Sequence, residues 1–169
     1  IFGKGAHFKP ARLFRMARSK AYLFGGVEIR WKCDQALLNA FSEVPTEAVF
    51  RFPGGLKDYI AQDIEGKTTV VDQAFTGKVE KQGGHGSVEW AVNWLGDDDG
   101  FVHSYCNTIP TPDGGTHEAG LRTALLRALK DHADRIGQTK RASAVTSDDV
   151  MSGCAAMISV FIREPEFQG

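Results

Sequence analysis

The chain has 169 residues, of which 42% are hydrophobic and 24% charged, and its formal net charge is −1. Those values describe an ordinary soluble globular protein of one large domain, or of one domain with part of another. No apolar run approaches the ~20 residues of a transmembrane helix, and no secretory signal opens the sequence.

The charge is unevenly placed. Residues 1–32 carry eight Lys and Arg against Glu28 alone, and the acidic excess lies beyond them. Such asymmetry marks a nucleic-acid or membrane surface, or the seam between two domains. Cys33, Cys106 and Cys154 are far apart and form no CxxC pair, which predicts free thiols in a reducing cytoplasm. The sequence opens on Ile1 and closes on Phe167-Gln168-Gly169, so a fragment of a longer protein is expected.

In chain order, residues 1–8 read as a glycine-rich linker. Pro10 suits a first helical position. Phe14, Ala17, Ala21 and Phe24 then recur at helical spacing over residues 11–22, with Arg12, Arg15 and Arg18 on a neighbouring face. Gly25-Gly26 ends that helix. Residues 27–32 alternate, with Val27, Ile29 and Trp31 on one side of a strand. A short helix is expected near residues 34–39. Residues 47–52 read as a strand, Pro53-Gly54-Gly55 as a turn and residues 56–64 as a short helix.

A three-strand meander is expected next. Its first strand covers residues 69–81, with Gly77 interrupting the pattern, and the Gly83-Gly84-His85-Gly86 turn follows. Residues 87–95 form the clearest strand, with Val88, Trp90, Val92 and Trp94 on one face. Asp97-Asp98-Asp99-Gly100 reads as a hairpin loop, and residues 101–109 as the returning strand. Pro110 and Pro112 stop it, because proline has no N–H for the ladder.

Asp113-Gly114-Gly115 is a turn signal. Thr116 is placed to cap a helix over residues 116–134, with Glu118 in the first turn. Leu121, Ala124, Leu125, Ala128, Leu129 and His132 form its expected apolar stripe. Residues 136–146 read as loop, and Ser147 as the cap of a short helix carrying Asp148 and Asp149. Residues 155–162 are nearly all apolar, which suits a strand buried on both faces. The sum is α+β: a mixed sheet of four or five strands with helices on one face.

No catalytic constellation emerges. The Gly83–Gly86 loop opens no helix and so lacks the mechanism of a phosphate cradle. The Asp97–Asp99 run lacks the spacing of a calcium loop. His7, His85, His103, His117 and His132 show no metal-ligand pairing. Ser104 or Ser152 with His117 and Asp113 makes no hydrolase signature. Arg122 and Arg127 could touch a phosphate backbone. Each also has an acidic partner four residues away, Glu118 and Asp131, so a charged helix face is the plainer reading. Gln138-Thr139-Lys140 is either a lysine loop reaching for phosphate or a polar connection.

Asn107-Thr108-Ile109-Pro110, followed by Asp113-Gly114-Gly115-Thr116-His117-Glu118-Ala119-Gly120-Leu121-Arg122, resembles the hallmark stretch of type IIA topoisomerase B subunits. That family contains the B subunits of gyrase and of topoisomerase IV. Residues 7–29, 52–59 and 147–167 are similar to family segments in the same order. Residues 88–94 and 161–165 are closer to the topoisomerase IV branch than to the gyrase branch.

The resemblance implies a ribosomal protein S5 domain 2-like transducer fold over residues 34–169. Residues 1–33 would be the last helix and strand of a GHKL ATPase domain. It implies a parent enzyme that uses ATP and Mg2+ to pass one DNA duplex through another. Double-stranded DNA, the topoisomerase IV A subunit and a second B subunit would be its partners, in the bacterial cytoplasm, and no membrane would be involved. No catalytic or nucleotide-binding residue is expected within these 169 residues. Arg122 and Arg127 are the candidates for lining a DNA cavity. Asn107, Asp113, Gly114, Gly115, Thr116 and His117 would form a structural hinge. The family's Gln-Thr-Lys loop follows the motif that here reads Pro165-Glu166-Phe167-Gln168-Gly169, so by order Lys140 is not its lysine. Two other readings make different predictions: a freestanding module binding nucleic acid through helix 11–22, and a small hydrolase.

Overall fold

The computed structural model describes residues 7–38, 42–81, 83, 86–97 and 99–167. Residues 1–6, 39–41, Gln82, Gly84, His85, Asp98 and the last two residues lie outside them, with the readings that fell there. The chain divides into two compact units, residues 1–59 and 60–169.

The first unit is a helix on a two-stranded sheet. Helix α1 (Pro10–Leu23) starts with proline at its first position, as expected. Strand β1 (Glu28–Lys32) pairs antiparallel with β2 (Glu47–Arg51), Trp31 lying opposite Ala48. Phe14 holds the helix to this sheet, edge-on to Trp31 at 5.4 Å and to Phe50 at 5.1 Å. Tyr22, Phe52 and Tyr59 form a second aromatic cluster, and the Arg18 guanidinium lies 4.7 Å from the Tyr59 ring centre. Such pairs each contribute roughly 0.5–1.5 kcal/mol beyond their buried area. Between the strands, Asp34 caps one 3-10 turn, Gln35–Leu37, in place of the expected short helix.

Helix α2 (Leu56–Asp63) leads into the second unit. That unit is a five-stranded sheet of β3 (Phe75–Lys81), β4 (Gly86–Trp94), β5 (Phe101–Cys106), β6 (Ile109–Pro110) and β7 (Cys154–Phe161). The strand order is β3-β4-β7-β5-β6. β7 is antiparallel to β4 and parallel to β5. Cys154, Ala155, Ala156, Met157, Ile158 and Ser159 are all buried, as the nearly all-apolar run predicts for a strand covered on both faces.

This order corrects the expected meander. β4 and β5 are not neighbours, because β7 lies between them, so the two do not form the expected hairpin. The physical reason is burial: the most apolar strand takes the position with a strand on each side. Gly100 passes so close that a β-carbon there would overlap the Cys154 backbone. The first strand is also shorter than expected. Thr69 forms only a bridge to Leu95, and regular pairing starts at Phe75. Gly77 breaks the pattern because the Trp90 ring lies across it.

Helices α3 (Thr116–Arg135), α4 (Thr139–Ala142) and α5 (Ser147–Met151) connect β5–β6 to β7. Val92, Leu121, Leu125, Val150, Cys154, Ala156 and Ile158 form the core, joined by Val88, Trp90 and Trp94. The predicted face of β4 therefore meets the helices. The α3 stripe is narrower than predicted. Only Leu121 and Leu125 are buried, with Leu126 beside them, whereas Ala124, Ala128, Leu129 and His132 are exposed. The sheet covers only the first half of a helix about 30 Å long. Residues 139–142 form a helical turn, not loop. The α5 cap is Thr146, not Ser147: Thr146 and Asp149 make a reciprocal capping box.

Candidate functional site

The constrained stretch before α3 is a joint between sheet and helix. It begins at a reversal. The returning strand does not run through to Ile109. It stops at Cys106, turns at Asn107 and Thr108, and folds back as β6 against β5, Cys106 opposite Ile109. Both turn residues have positive φ, 48° and 66°, as a two-residue hairpin of this hand requires. Asn tolerates that region, while a β-branched Thr there is an outlier. Asn107 is tied down on three sides. Its N–H donates to Val160 O at 2.8 Å. Its Nδ2 donates to Ile162 O at 2.9 Å, and its Oδ1 accepts from Ile162 N at 2.8 Å.

Past β6, Gly114 N–H donates to Thr111 O at 2.9 Å, closing a turn. Gly114 and Gly115 take φ of 77° and 154°, and a β-carbon on Gly115 would lie 2.9 Å from His117 Cε1. Those two glycines let the chain enter α3 tightly. Thr116 does not cap the helix. It is the first helical residue, and the capping position is Gly115, which has no side chain to offer. Asp113 sits exposed at the rim.

What fixes the helix head is a line of side chains. His117 Nε2 lies 3.1 Å from Thr111 Oγ1, which lies 2.8 Å from Ser104 Oγ. Ser104 Oγ reaches Thr111 O at 2.9 Å and Glu118 Oε2 at 3.2 Å. Glu118 Oε1 accepts from Arg122 Nε at 3.2 Å and Nη2 at 2.9 Å. One proton order serves the whole line: His117 Nε2–H to Thr111, Thr111 O–H to Ser104, Ser104 O–H to Glu118. Ser104 is 5% exposed, so these bonds are shielded from water and an unmade one is costly. β5, the β6–α3 loop and α3 are thereby locked together.

Burial holds the His117 imidazole below its ordinary value, against a smaller opposite pull from Glu118. A lowered folded value means the unfolded chain binds the proton more tightly. The contribution is complete above the ordinary imidazole value of about 6.5 and is lost as pH falls through the folded value. The thermal midpoint should therefore fall with pH below about 6.5, and that part of the fall should be smaller in His117→Gln. Parallel titration curves for the two proteins would contradict it.

Arg122 and Glu118 face a cleft of about 590 Å³, lined also by Asp99, Asp113, Ser152 and Cys154. Burial pushes the Cys154 thiol up to about 11 despite the nearby Arg122, and burial also raises Cys106. Neither is a ready thiolate at neutral pH. Ser104 has no direct bond to His117, because Thr111 stands between them, and its hydroxyl is committed to Thr111 and Glu118. The arrangement is chemically a clamp rather than a nucleophile with its base. Arg127 is elsewhere on α3, its side chain 82% exposed and 3.8 Å from Asp131. The structure thus gathers His117, Glu118 and Arg122 with Ser104 and Thr111, and leaves Arg127 apart. Thr111 carried no signal in the sequence, and Ser104 drew attention only as a nucleophile. The i, i+4 spacing of Glu118 and Arg122 and the place of His117 in the constrained stretch were the legible parts of the line.

Solved structures share this fold. The ATPase domain of Thermus thermophilus gyrase B, solved with an aminocoumarin, matches 97% of this chain and 42% of its own, at 27% identity and a TM-score of 0.75. The gyrase B protein of Myxococcus xanthus matches 93% of this chain and 41% of its own at a TM-score of 0.75 and 22% identity, a likeness of fold. The fold is therefore one shared with gyrase B proteins, including the ATPase domain of the Thermus thermophilus protein. The family model described as DNA gyrase B matches residues 55–169, and the chain belongs to that family. Within it, the chain is 54% identical to the B subunit of DNA topoisomerase 4 from Caulobacter vibrioides and 53% identical to that from Bartonella bacilliformis. Both alignments span all of this chain. The Escherichia coli protein of the same name is 32% identical over 99% of the chain. The chain spans about a quarter of the length of the curated relatives it matches.

Proposed function

We propose that this chain is the transducer segment of a topoisomerase IV-type B subunit. Its parent would couple ATP binding and hydrolysis to the passage of one duplex through another, decatenating and relaxing DNA during chromosome segregation. The observation that carries this reading is the 54% identity over the entire chain to a topoisomerase 4 B subunit. The clamped joint supports it, because a segment that relays a domain movement needs the angle between sheet and strut to be stiff.

In this reading residues 1–33 end an ATPase domain and residues 34–169 form the transducer. ATP and Mg2+ act in the parent. Among the described residues no group of three or more His, Cys, Asp or Glu could hold a metal ion. The partners are double-stranded DNA, an A subunit and a second B subunit closed by ATP, in a bacterial cytoplasm at the nucleoid. No helix among the described residues is long and apolar enough to cross a membrane.

Arg122 and Arg127 are the proposed DNA-facing side chains. Arg127 would give up only a loose, exposed pairing with Asp131 at 3.8 Å to reach phosphate, whereas Arg122 must first leave the closer Glu118. The full-length B subunit, assembled with its A subunit, should decatenate DNA with ATP and should not introduce negative supercoils. Arg127→Glu should weaken its stimulation by DNA and flatten the salt dependence by about one charge. Negative supercoiling by wild type would move the protein to the gyrase branch. Unchanged stimulation and salt slope would remove Arg127 from the DNA surface. Steeply salt-dependent DNA binding by this chain alone would favour a freestanding module instead.

A further inference from the structure

The corner at Asn107 does more than reverse the chain. β5 and β7 run parallel, and their ladder ends with Cys106 opposite Val160. Beyond it the backbone of β5 turns away. The Asn107 side chain then stands in for the missing strand, giving Ile162 both a donor and an acceptor at 2.9 and 2.8 Å. The two ends of one side-chain amide satisfy the N–H and C=O of Ile162, which a continued parallel strand would have bonded through two separate residues. The chain leaving β7 is thus held in register with β5 two residues past the end of the regular ladder.

The same residue starts the segment that leads to the helix head. From Asn107 and Thr108 the chain passes through β6 to Thr111, and Thr111 belongs to the line that ends on Glu118 and Arg122. The exit of β7 and the head of α3 are therefore joined by the short backbone from Asn107 to Thr111, with a hydrogen-bonded side chain at each end. Thr108 is kept at φ 66° between those two anchors. An uncommon conformation of a β-branched residue persists only where its surroundings over-determine it, and here both neighbouring segments do so.

We infer that Asn107 is a positioning residue: its side chain latches the chain leaving β7 to the joint at α3, so that movement at one end is felt at the other. The inference rests on the transducer reading for its functional consequence, but the latch itself is a statement about this chain alone.

The test uses the full-length B subunit with its A subunit and three substitutions. Asn107→Gly keeps the positive-φ turn open to the backbone and removes the latch. Asn107→Asp keeps the side-chain size but sets a carboxylate oxygen against Ile162 O. Thr108→Gly keeps the latch and removes the strained residue. Hydrogen exchange at the Ile162 amide should speed up by about tenfold or more in Asn107→Gly, and in the same direction in Asn107→Asp. It should stay as in wild type in Thr108→Gly. Stimulation of ATP hydrolysis by DNA should fall by about fivefold or more in the two Asn107 variants, with basal hydrolysis within about twofold of wild type. Unchanged exchange at Ile162 overturns the latch. Faster exchange with full stimulation overturns the positioning role and leaves Asn107 a local brace. If wild type itself shows no stimulation by DNA, the transducer reading fails, while the exchange comparison still decides the latch. Asn107→Asp carries the test should Asn107→Gly not fold.

Discussion

Replacing Glu118 by Ala is expected to lower the stability of this chain by about 2 kcal/mol. The carboxylate is the point where the line from His117 meets Arg122. Without it the Ser104 hydroxyl loses a shielded acceptor, and the Arg122 guanidinium loses its ion pair at the wall of the cleft. Two features moderate the cost. The Arg122 side chain is 36% exposed, so water takes over part of the pairing. Ser104 can also turn its proton fully to Thr111 O at 2.9 Å. Glu118→Gln keeps an acceptor for Ser104 but gives up the charge and the second oxygen that accepts from Arg122, so about half the loss is expected. Urea unfolding of the three proteins measures this directly. Equal midpoints for wild type and Ala would mean that the line does not hold the helix head.

The second large effect concerns Gly100. A β-carbon there would overlap backbone atoms of Cys154, the first residue of the central strand. Backbone in a strand paired on both sides cannot give way as a flexible side chain can. Leu95 N–H adds a further tie, donating to Gly153 O at 2.7 Å beside that point. Gly100→Val should therefore destabilise the chain by about 3 kcal/mol, the upper part of the range for overpacked sites. For a chain of this size that corresponds to a fall in Tm of roughly 6–12 °C. Exposed Asp99→Ala should move Tm by no more than about 1–2 °C and serves as the control. A Gly100→Val protein with wild-type Tm would show that Gly100 does not pass β7 as described.

Much of this was legible in the sequence, and the failures share a cause. Local signals held: Pro10 opened α1, the alternation of β4 chose the face that meets the core, and the apolar run of β7 marked a strand buried on both sides. What local signals cannot carry is the identity of a neighbour. Asp97 to Gly100 looks like a hairpin because Asp-Gly favours tight turns, yet Gly100 is small so that it can pass β7. The apolar stripe on α3 ran too far because periodicity records which residues share a face, not how far the sheet extends beneath them.

The site divides in the same way. Gly114 and Gly115 announced a constrained approach to α3, and that approach is there. Thr116 looked like its cap because Thr favours that position, yet the cap falls one residue sooner and the line from Ser104 to Arg122 secures the helix head instead. Ser104 and Thr111 are joined to Glu118 across strand, loop and helix, contacts that no spacing in a single stretch can reveal. Asn107 belongs to the same category, because its partner Ile162 is 55 residues away.

The relay itself is tested most directly by counting ATP molecules hydrolysed per DNA passage in the full-length B subunit with its A subunit, comparing wild type with Glu118→Gln. The variant keeps most of the stability and loses the charge that ties Arg122 to the joint. Basal hydrolysis should persist while passage falls, so that the ratio rises by about fivefold or more. An unchanged ratio, with hydrolysis and passage still in step, would contradict the claim that this joint carries the movement.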